Sequence, residues 1–509
     1  MHTEDSPFLF TMKPRLSFIS ILFFWICCST LHAQGVDDAL LNSQTYYEGT
    51  ARSMAMGNAI GALGGDLTAV CINPAGLGLY RTQEFTFSLG PQYEFCVSDY
   101  YGNSDYAQRL RTTIPNVGMV LTGEISNYKP LRFFQLGIGM TRTNDFNYRR
   151  ESSGLNPSSS MVDSYIQTIN GIDEVFLSYI NPGNYFKDNN PYDLSPAWET
   201  YLIDRFTDSL GNMFFDSPVP QGNVLQTNNI KSKGRSEEWT VAMAGNYYDK
   251  LFIGASLGLS HIKRIYNRSY IETPNDANSK FINWELNEEL GDTAWGVNGK
   301  IGVIYYPAQW IRIGAAFHTR TIYSFGEIWS TEIQTNLKNE NGQQEYHRNL
   351  SPRLYQNYIF KSPRSFIGSV AFFLGKQGLV SADVEYKDYG TGTFDFEGVN
   401  DNIREVLKPT CNLRFGMEWR FLQYFIRSGT AYYGSPYGFG EKYGSVKKLG
   451  LGIGYAVNEV TSWDFAYELT HSTTGYTPYQ YYIDGTNTVN DAVQSQWRNK
   501  FVVTLKMKI

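Results

Sequence analysis

The feature that most constrains the fold is a two-residue alternation of apolar and polar side chains that recurs along most of the chain. In residues 501–509, one face is entirely apolar and the other carries Thr504, Lys506 and Lys508. Such alternation predicts strands with one face toward an apolar environment and one toward a polar environment. No stretch after residue 33 approaches ~18 consecutive apolar residues, which excludes a helical membrane protein.

Fourteen such strands can be marked, and the connections between them alternate in length. We place their starts near residues 82, 114, 131, 236, 250, 294, 309, 358, 377, 408, 421, 447, 459 and 496. The odd-numbered connections are long (269–293, 327–352 and 471–495), and the even-numbered ones are tight (248–250, 307–308 and 375–378). Outer-membrane barrels have short periplasmic turns, long outer loops and an even strand number. The pattern predicts an all-β fold, a transmembrane antiparallel β-barrel of about 14 strands; a secreted β-sandwich is the alternative.

The composition agrees with a membrane-embedded wall. Aromatic residues make up 16% of the chain and charged residues 18%, against a usual charged share of ~25%. Tyr, Trp and Phe form girdles at the two surfaces of a bilayer. The formal net charge of -6 gives no reason to expect a nucleic-acid partner.

Residues 1–33 have the order of a secretion signal peptide. Lys13 and Arg15 precede an apolar run that ends at Cys28, and Ala33 supplies a small residue for cleavage. Two acids within residues 1–11 do not suit the start of a signal, so Met12 is an alternative start. We therefore expect an exported chain, with an N-terminal segment at 34–81 and the barrel at 82–509.

The segment 34–81 does not alternate and is rich in small residues. Seven glycines lie between Gly49 and Gly78, and small residues allow close packing and sharp turns. We expect this segment to fold into the barrel lumen as a plug; a flexible leader is the alternative. Within it, Asp66 suits the N-cap of a short helix, and Pro74 predicts extended backbone at Asn73.

The same segment carries a resemblance to a known family. Asp66, Thr68 and the run from Asn73 to Leu77 resemble the hatch motif of the FadL/TodX family of outer-membrane transporters for hydrophobic compounds. The segments 360–364 and 382–386 are similar to that family as well. The terminal Ile509 departs from the Phe or Trp that usually ends such barrels.

The resemblance implies a Gram-negative outer-membrane barrel with an N-terminal hatch in its lumen. It implies passive import of a hydrophobic compound, such as a long-chain fatty acid, through a hatch-gated barrel. We expect a monomer that is inserted among outer-membrane lipids by the barrel-assembly machinery. The implied ligand-binding residues of the hatch are Asp66, Thr68, Asn73, Pro74, Ala75, Gly76 and Leu77.

The longest connection, at about 149–235, contains two stretches with helical apolar spacing. They lie at 165–179 and, after Ser195-Pro196, at 198–206. In an outer loop, such apolar faces must cover something. Either they cover one another and cap the barrel mouth, or they form the ligand-capture groove that the resemblance implies. That groove would comprise Tyr165, Ile169, Ile172, Phe176, Trp198, Tyr201, Leu202 and Phe206.

We predict no enzyme, no metal site and no cofactor. The G-x-S-x-G spacing of 254–258 lies inside a predicted strand without a following helix, so the context of a catalytic serine is missing. Asp383 and Glu385 share one strand face, which a polar lumen explains. The alternatives to transport are a non-transporting adaptor of the type IX secretion kind, a lipid enzyme, and a haem-binding receptor. A haem site would draw on His261, His318, His347 and His471.

Overall fold

The computed structural model describes residues 35–509 except 127–128, 173–180, 277–278, 340, 397 and 439. The predicted signal peptide and Phe176 lie outside the described residues. Among the residues that the structure describes, no helix is both long enough and apolar enough to cross a bilayer.

Fourteen antiparallel strands form one closed barrel in the described part of the chain. The strands are β1 (Glu84–Tyr100), β2 (Asn103–Thr113 and Asn116–Glu124), β3 (Leu131–Asp145 and Tyr148–Asn156), β4 (Val224–Tyr247), β5 (Leu251–Pro274), β6 (Phe281–Ala308), β7 (Ile311–His318 and Ile322–Lys338), β8 (Gln344–Leu350, Leu354–Lys361 and Ser365–Leu374), β9 (Gly378–Asp388 and Thr393–Phe394), β10 (Pro409–Phe421), β11 (Tyr424–Tyr433), β12 (Val446–Ala456), β13 (Thr461–Tyr476) and β14 (Ala492–Lys508). Each strand pairs with its neighbours in sequence, and β1 closes the barrel by pairing with β14. The predicted fold is confirmed.

The helices lie in the segment before β1 and in the connections between strands. They are α1 (Val36–Ser43), α2 (Ala51–Ala55), α3 (Ala69–Ile72), α4 (Met161–Asn170), α5 (Pro182–Asn189), α6 (Leu194–Glu199) and α7 (Val399–Val406), with 3-10 turns at Pro74–Leu79 and Tyr389–Thr391. Two small hairpins stand apart from the barrel, Asp204–Thr207 with Met213–Asp216 and Tyr482–Ile483 with Thr486–Asn487.

The predicted starts are accurate for strands that follow tight turns and inaccurate for several strands that follow outer loops. Strands that follow tight turns begin within three residues of the prediction, as β5 does at Leu251. Several strands that descend from outer loops begin much earlier, and β8 begins at Gln344 instead of 358. The long connections predicted at 269–293 and 327–352 are therefore wrong, because strand pairing leaves only 275–280 and 339–343 between strands. Beyond the bilayer both strand faces meet water or protein, so alternation no longer marks the strand.

The insertion predicted at 149–235 is also shorter, since β3 and β4 extend into it and leave 157–223. We call the described residues of this insertion, 157–172 and 181–223, the cap. The predicted helix at 165–179 begins earlier, as α4. The predicted helix at 198–206 is wrong beyond α6, because Tyr201 adopts a φ of 56° and Phe206 lies in a strand. The N-cap residue of α6 is Asp193, whose side chain accepts the Leu194 N–H at 2.7 Å.

The outer surface of the barrel carries an apolar belt. On β4, Trp239, Val241 and Met243 are about half exposed, while the residues between them face inward and are buried. The apolar run on the outward face covers residues 239–247, which matches the ~9–11 residues that a tilted strand needs to cross a bilayer. Above Trp239 the same face carries Glu237, Arg235 and Lys233, so the belt ends there.

Candidate binding site in the barrel lumen

Residues 35–80, which we call the plug, contact inward-facing side chains on widely separated strands. Besides apolar packing and hydrogen bonds, four ion pairs join the plug to β5, β10 and β14. They are Asp38 with Arg264 on β5 (3.1 Å), Arg52 with Glu418 on β10 (2.9 Å), Asp66 with Lys506 on β14 (3.0 Å), and Glu48 with Lys500 on β14. Because these partners belong to different sides of the wall, the plug is fixed within the lumen.

Glycines on the inner wall let the plug backbone lie directly against the strands. A Cβ at Gly302 on β6 would lie 1.9 Å from Asn73 Oδ1, and a Cβ at Gly254 on β5 would lie 2.4 Å from the Pro74 carbonyl oxygen. Neither contact is possible with a side chain present. Gly254, the first glycine of the G-x-S-x-G pattern, therefore lies inside a strand and forms part of the wall surface on which the plug packs.

Asn73 joins two parts of the plug to the wall. Its Nδ2 donates to the Gly61 carbonyl at 2.8 Å and to the Val303 carbonyl on β6 at 3.2 Å. Its Oδ1 accepts the Ala75 N–H at 3.1 Å. The backbone at Asn73 is extended, with φ -141° and ψ 103°, as Pro74 led us to predict.

Asp66 is fully buried and organises the turn before α3. Its carboxylate accepts hydrogen bonds from the Thr50 hydroxyl (2.7 Å) and the Thr68 N–H (3.0 Å), in addition to the pair with Lys506. The residue at the N-cap of α3 is Thr68 and not Asp66. Asp66 thus starts the turn, while its charge is directed at the wall.

All seven predicted hatch residues are buried in packing contacts. Ala75 packs on Phe252 and Ile304, Leu77 packs in a cluster with Val120, and the Gly76 carbonyl accepts the Gly65 N–H at 3.1 Å. None of the seven lines the luminal chamber described below. Their role in ligand binding stays a prediction.

An aromatic cluster, which the sequence did not reveal, lies inside the barrel next to α1. Its buried aromatic members are Phe146, Tyr323, Phe325, Tyr358, Phe360, Tyr389 and Phe394. Phe325 and Tyr358 are stacked with ring centroids 4.9 Å apart. Helix α1 packs Ala39 and Leu40 against this cluster. The members come from strands and turns far apart in sequence, so no local pattern marks them.

A small polar chamber adjoins the aromatic cluster below α1. Glu238 and Lys300 form an ion pair on its wall, and Lys387 donates to the Ser43 carbonyl at 2.7 Å. The His318 ring lies beside it, with Nε2 2.9 Å from the Ile72 carbonyl oxygen. The chamber leaves about 50 Å³ for the centres of water molecules. That space holds a few waters, and it does not hold an acyl chain.

Comparison with solved structures places this architecture among known barrels. Neither a protein-family model nor a curated protein sequence matches the chain. The crystal structure of the Pseudomonas putida toluene transporter TodX matches with a TM-score of 0.52 and 13% identity, over 91% of this chain and 99% of TodX. A FadL homologue from Pseudomonas aeruginosa matches with a TM-score of 0.53 and 11% identity, over 91% and 99%. The chain has the FadL/TodX fold.

The FadL/TodX fold and the apolar belt together place the chain in the Gram-negative outer membrane. At this level of identity the likeness shows the fold alone, so the contents of the lumen and the cap must be interpreted from their own residues.

In this FadL/TodX barrel the cap folds over the mouth around a hydrophobic core. Phe186 in α5 is fully buried, and the cap side chains pack on Phe281 and Trp284 of β6. Of the predicted groove residues, Tyr165, Ile169 and Leu202 are buried in this core, and Ile172 and Trp198 pack against it.

Tyr201 and Phe206 lie outside the core, 54% and 43% exposed. Tyr201 packs its ring on His347, with centroids 4.8 Å apart. The structure thus brings five of the predicted groove residues together, in the arrangement where the apolar faces cover one another. The groove itself stays a prediction.

Glu272 on β5 anchors the cap, and no sequence motif marks it. The carboxylate is fully buried and accepts hydrogen bonds from Met161 N–H (2.8 Å), Tyr270 OH (2.7 Å) and Trp284 Nε1 (2.9 Å). The Ser160 hydroxyl, at the N-cap of α4, and Gln226 Nε2 (2.8 Å) also donate to it. Within the described residues no Lys or Arg forms an ion pair with Glu272. Its polar partners are these five hydrogen-bond donors.

The histidines and the paired acids have separate surroundings. His261 and His471 pack against Trp295 and Trp497 in neighbouring strands, with ring centroids 4.3 and 4.1 Å apart and planes tilted by 34°, whereas His318 is buried in the lumen. The barrel does not gather them into one site. Asp383 and Glu385 face the lumen, where both lie within 4 Å of buried Arg414. The two acids share the lumen face as predicted, but they are buried there and not solvated.

Proposed function

We propose that this barrel conducts a hydrophobic compound, or an amphipathic one with a long apolar body, across the outer membrane by passive diffusion. The observation that carries the proposal is the aromatic cluster. Much of the lumen is lined by charged pairs such as Lys300 with Glu238 and Lys448 with Glu468. A barrel needs no aromatic pocket for its own stability there, whereas an apolar ligand needs one.

In this proposal the ligand replaces α1 on the aromatic cluster. Helix α1 packs Ala39 and Leu40, with the partly buried Val36 and Leu41, against a cluster of seven aromatic rings. Burial of an apolar ligand is worth ~25 cal/mol per Å², so a longer chain competes well with these small side chains. The polar end of an amphipathic ligand would then meet Lys300 and Lys387 in the adjoining chamber.

The plug acts as the hatch, because the closed chamber has no room for the ligand to pass. Movement must break contacts such as Asp38 with Arg264 and the hydrogen bonds of Asn73. Replacing Asn73 and Pro74 together with Ala should impair uptake while the barrel remains folded. Normal uptake at unchanged expression would remove the hatch motif from the mechanism.

Native mass spectrometry of the detergent-purified protein tests the ligand class. We expect release of a fatty acid or another apolar compound, and at least tenfold less of it from Tyr358→Ala and Phe360→Ala. Ile359→Ala is the matched control, because Ile359 lies between them on the same strand and faces outward. Equal ligand retention in all three variants would contradict the proposed site, and a ligand-free barrel would contradict transport.

A second candidate function, an adaptor that holds a protein partner, draws on one observation. The cap hairpin exposes Phe206, Leu210 (85% exposed) and Phe214 side by side at the outer surface. Exposed apolar groups of this size are typical of protein-binding surfaces. An adaptor predicts a stable polypeptide partner on affinity purification, and its loss when Phe206 and Phe214 are replaced by Ser.

A further inference from the structure

The outward face of β3, β4 and β5 changes character at the outer edge of the belt. Below the edge this face carries Trp239 on β4 and Leu257 and Leu259 on β5, all well exposed. Above it come Arg235 and Lys233 on β4 and Lys263 on β5, also exposed. Arg235 lies four residues beyond Trp239, which is about 9 Å along the normal for a strand tilted by ~45°. That is the depth of lipid headgroups next to an aromatic girdle.

The strand register places five basic side chains close together in this zone. Arg149 on β3 lies directly opposite Lys231 on β4, and Arg235 lies directly opposite Lys263 on β5. Lys233 lies between Lys231 and Arg235 on the same face. Opposite residues have Cβ atoms ~5 Å apart, and alternate residues on one strand are ~7 Å apart. We call these five residues the basic patch.

The basic side chains of the patch outnumber the acidic side chains that pair with them. Arg149 pairs with Glu151 at 2.5 Å, and Arg235 pairs with Glu237 at 2.7 Å. Lys231, Lys233 and Lys263 have no ion pair in the described part of the chain. By register Asp145 on β3 lies opposite Arg235, but its side chain is buried and forms an ion pair with Arg111. On the rung of Lys231 the next acid is Glu289, one strand further on, across Asn267. Like charges directly opposite each other destabilise a sheet, so barrel stability does not account for the cluster.

We propose that the basic patch binds the phosphate groups of a phosphorylated glycolipid of the outer leaflet, with the acyl chains lying on the belt below. The positions fit both halves of such a lipid, because cations lie at headgroup depth and apolar side chains continue directly beneath them. Lys and Arg form charge-assisted hydrogen bonds with phosphate. The patch stands out in a chain whose formal net charge is -6. This inference is independent of the proposed transport, since the patch is on the outside of the wall.

The test compares two triple variants in nanodiscs of phosphatidylcholine with added diphosphorylated lipid A. Lys231→Gln, Lys233→Gln and Lys263→Gln together remove the unpaired charges. The control is Lys129→Gln, Lys250→Gln and Lys376→Gln, which makes the same charge change at exposed turns on the opposite side of the belt. Native mass spectrometry counts lipid A bound per protein, and heat-modifiable gel mobility verifies that each barrel is folded.

We expect at least tenfold weaker lipid A binding in the patch variant, wild-type binding in the control, and weaker wild-type binding at high salt. Dephosphorylated lipid A should bind both proteins equally weakly. Equal lipid A binding by the two triple variants would overturn the proposal. Competition by inorganic phosphate at the same concentration as lipid A would also overturn it, because the patch would then be a simple anion site.

Discussion

The plug and the cap both obstruct the barrel, but they are held by different forces. The plug is tied to the wall by ion pairs such as Arg52 with Glu418 and by hydrogen bonds from Asn73. The cap is held by a hydrophobic core that contains Phe186 and Trp284, with a single buried acid, Glu272, at its anchor.

This difference indicates which of the two is built to move. When the plug moves, water can hydrate the polar groups that separate, so each neutral hydrogen bond costs a net ~0.5–1.5 kcal/mol, while each buried ion pair costs more. When an apolar core opens, its whole surface meets water at ~25 cal/mol per Å². We therefore expect the cap to be the rigid element and the plug the mobile one. Four changes to the chain test this expectation.

Replacing Glu272 with Leu should open the cap. The variant leaves five buried donors without their acceptor, at ~1–3 kcal/mol each, so we expect a loss of about 5 kcal/mol in cap stability. Hydrogen exchange of α4 measures the effect. Glu289→Leu on β6 is the control, because Glu289 is exposed. Equal protection of α4 in both variants would contradict the anchoring role.

Replacing Asp66 with Asn should loosen the plug by up to about 3 kcal/mol, because Lys506 loses the closer of two buried carboxylates and keeps only Asp464, at 3.4 Å. Cys71 is a free, buried thiol within the plug, so its rate of labelling by a water-soluble maleimide reports plug opening once Cys96 and Cys411 are replaced by Ser. Adding Lys506→Met should restore protection, since both charges are then absent. Labelling of the double variant as fast as that of Asp66→Asn would refute the ionic explanation.

Gly302→Ala should also raise Cys71 labelling, with a destabilisation of about 2 kcal/mol, because the new methyl group overlaps Asn73. Gly299→Ala on the same strand is the matched control, since a Cβ there meets no atom closer than 3.8 Å. Slow labelling of Cys71 in both variants would show that packing of the plug does not depend on glycine at position 302.

The smallest effect concerns pH and the cap. Burial raises the pKa of Asp163, beside the N-cap of α4, to about 6. Since the folded pKa is above the usual value of 3.8, the folded cap binds the proton more tightly than the opened cap. The contribution of Asp163 to cap stability should therefore grow as pH falls from about 6 toward 4. The same contribution should disappear as pH rises through 6. Exchange of α4, corrected for its intrinsic pH dependence, measures this, and Asp163→Asn should abolish it.

How far the sequence predicted the structure depends on whether a feature is local. Strand starts near tight turns were predicted within three residues, because both the bilayer and the turn constrain them. The hatch motif was found because its residues are contiguous, and the extended backbone at Asn73 followed from Pro74. Glu272 and the aromatic cluster were missed, because their partners come from distant strands. The helix prediction at 198–206 failed where Tyr201 leaves helical geometry.

The wall follows from local sequence: alternation is a property of neighbouring residues, and a bilayer on one face with a polar lumen on the other imposes it on every strand. The contents of the lumen and the cap depend instead on long-range contacts. Asp66 and Lys506 are separated by 440 positions, and Glu272 meets α4 from more than 100 positions away. Such contacts depend on which strands closure of the barrel brings face to face, and no local pattern of side chains encodes that distance.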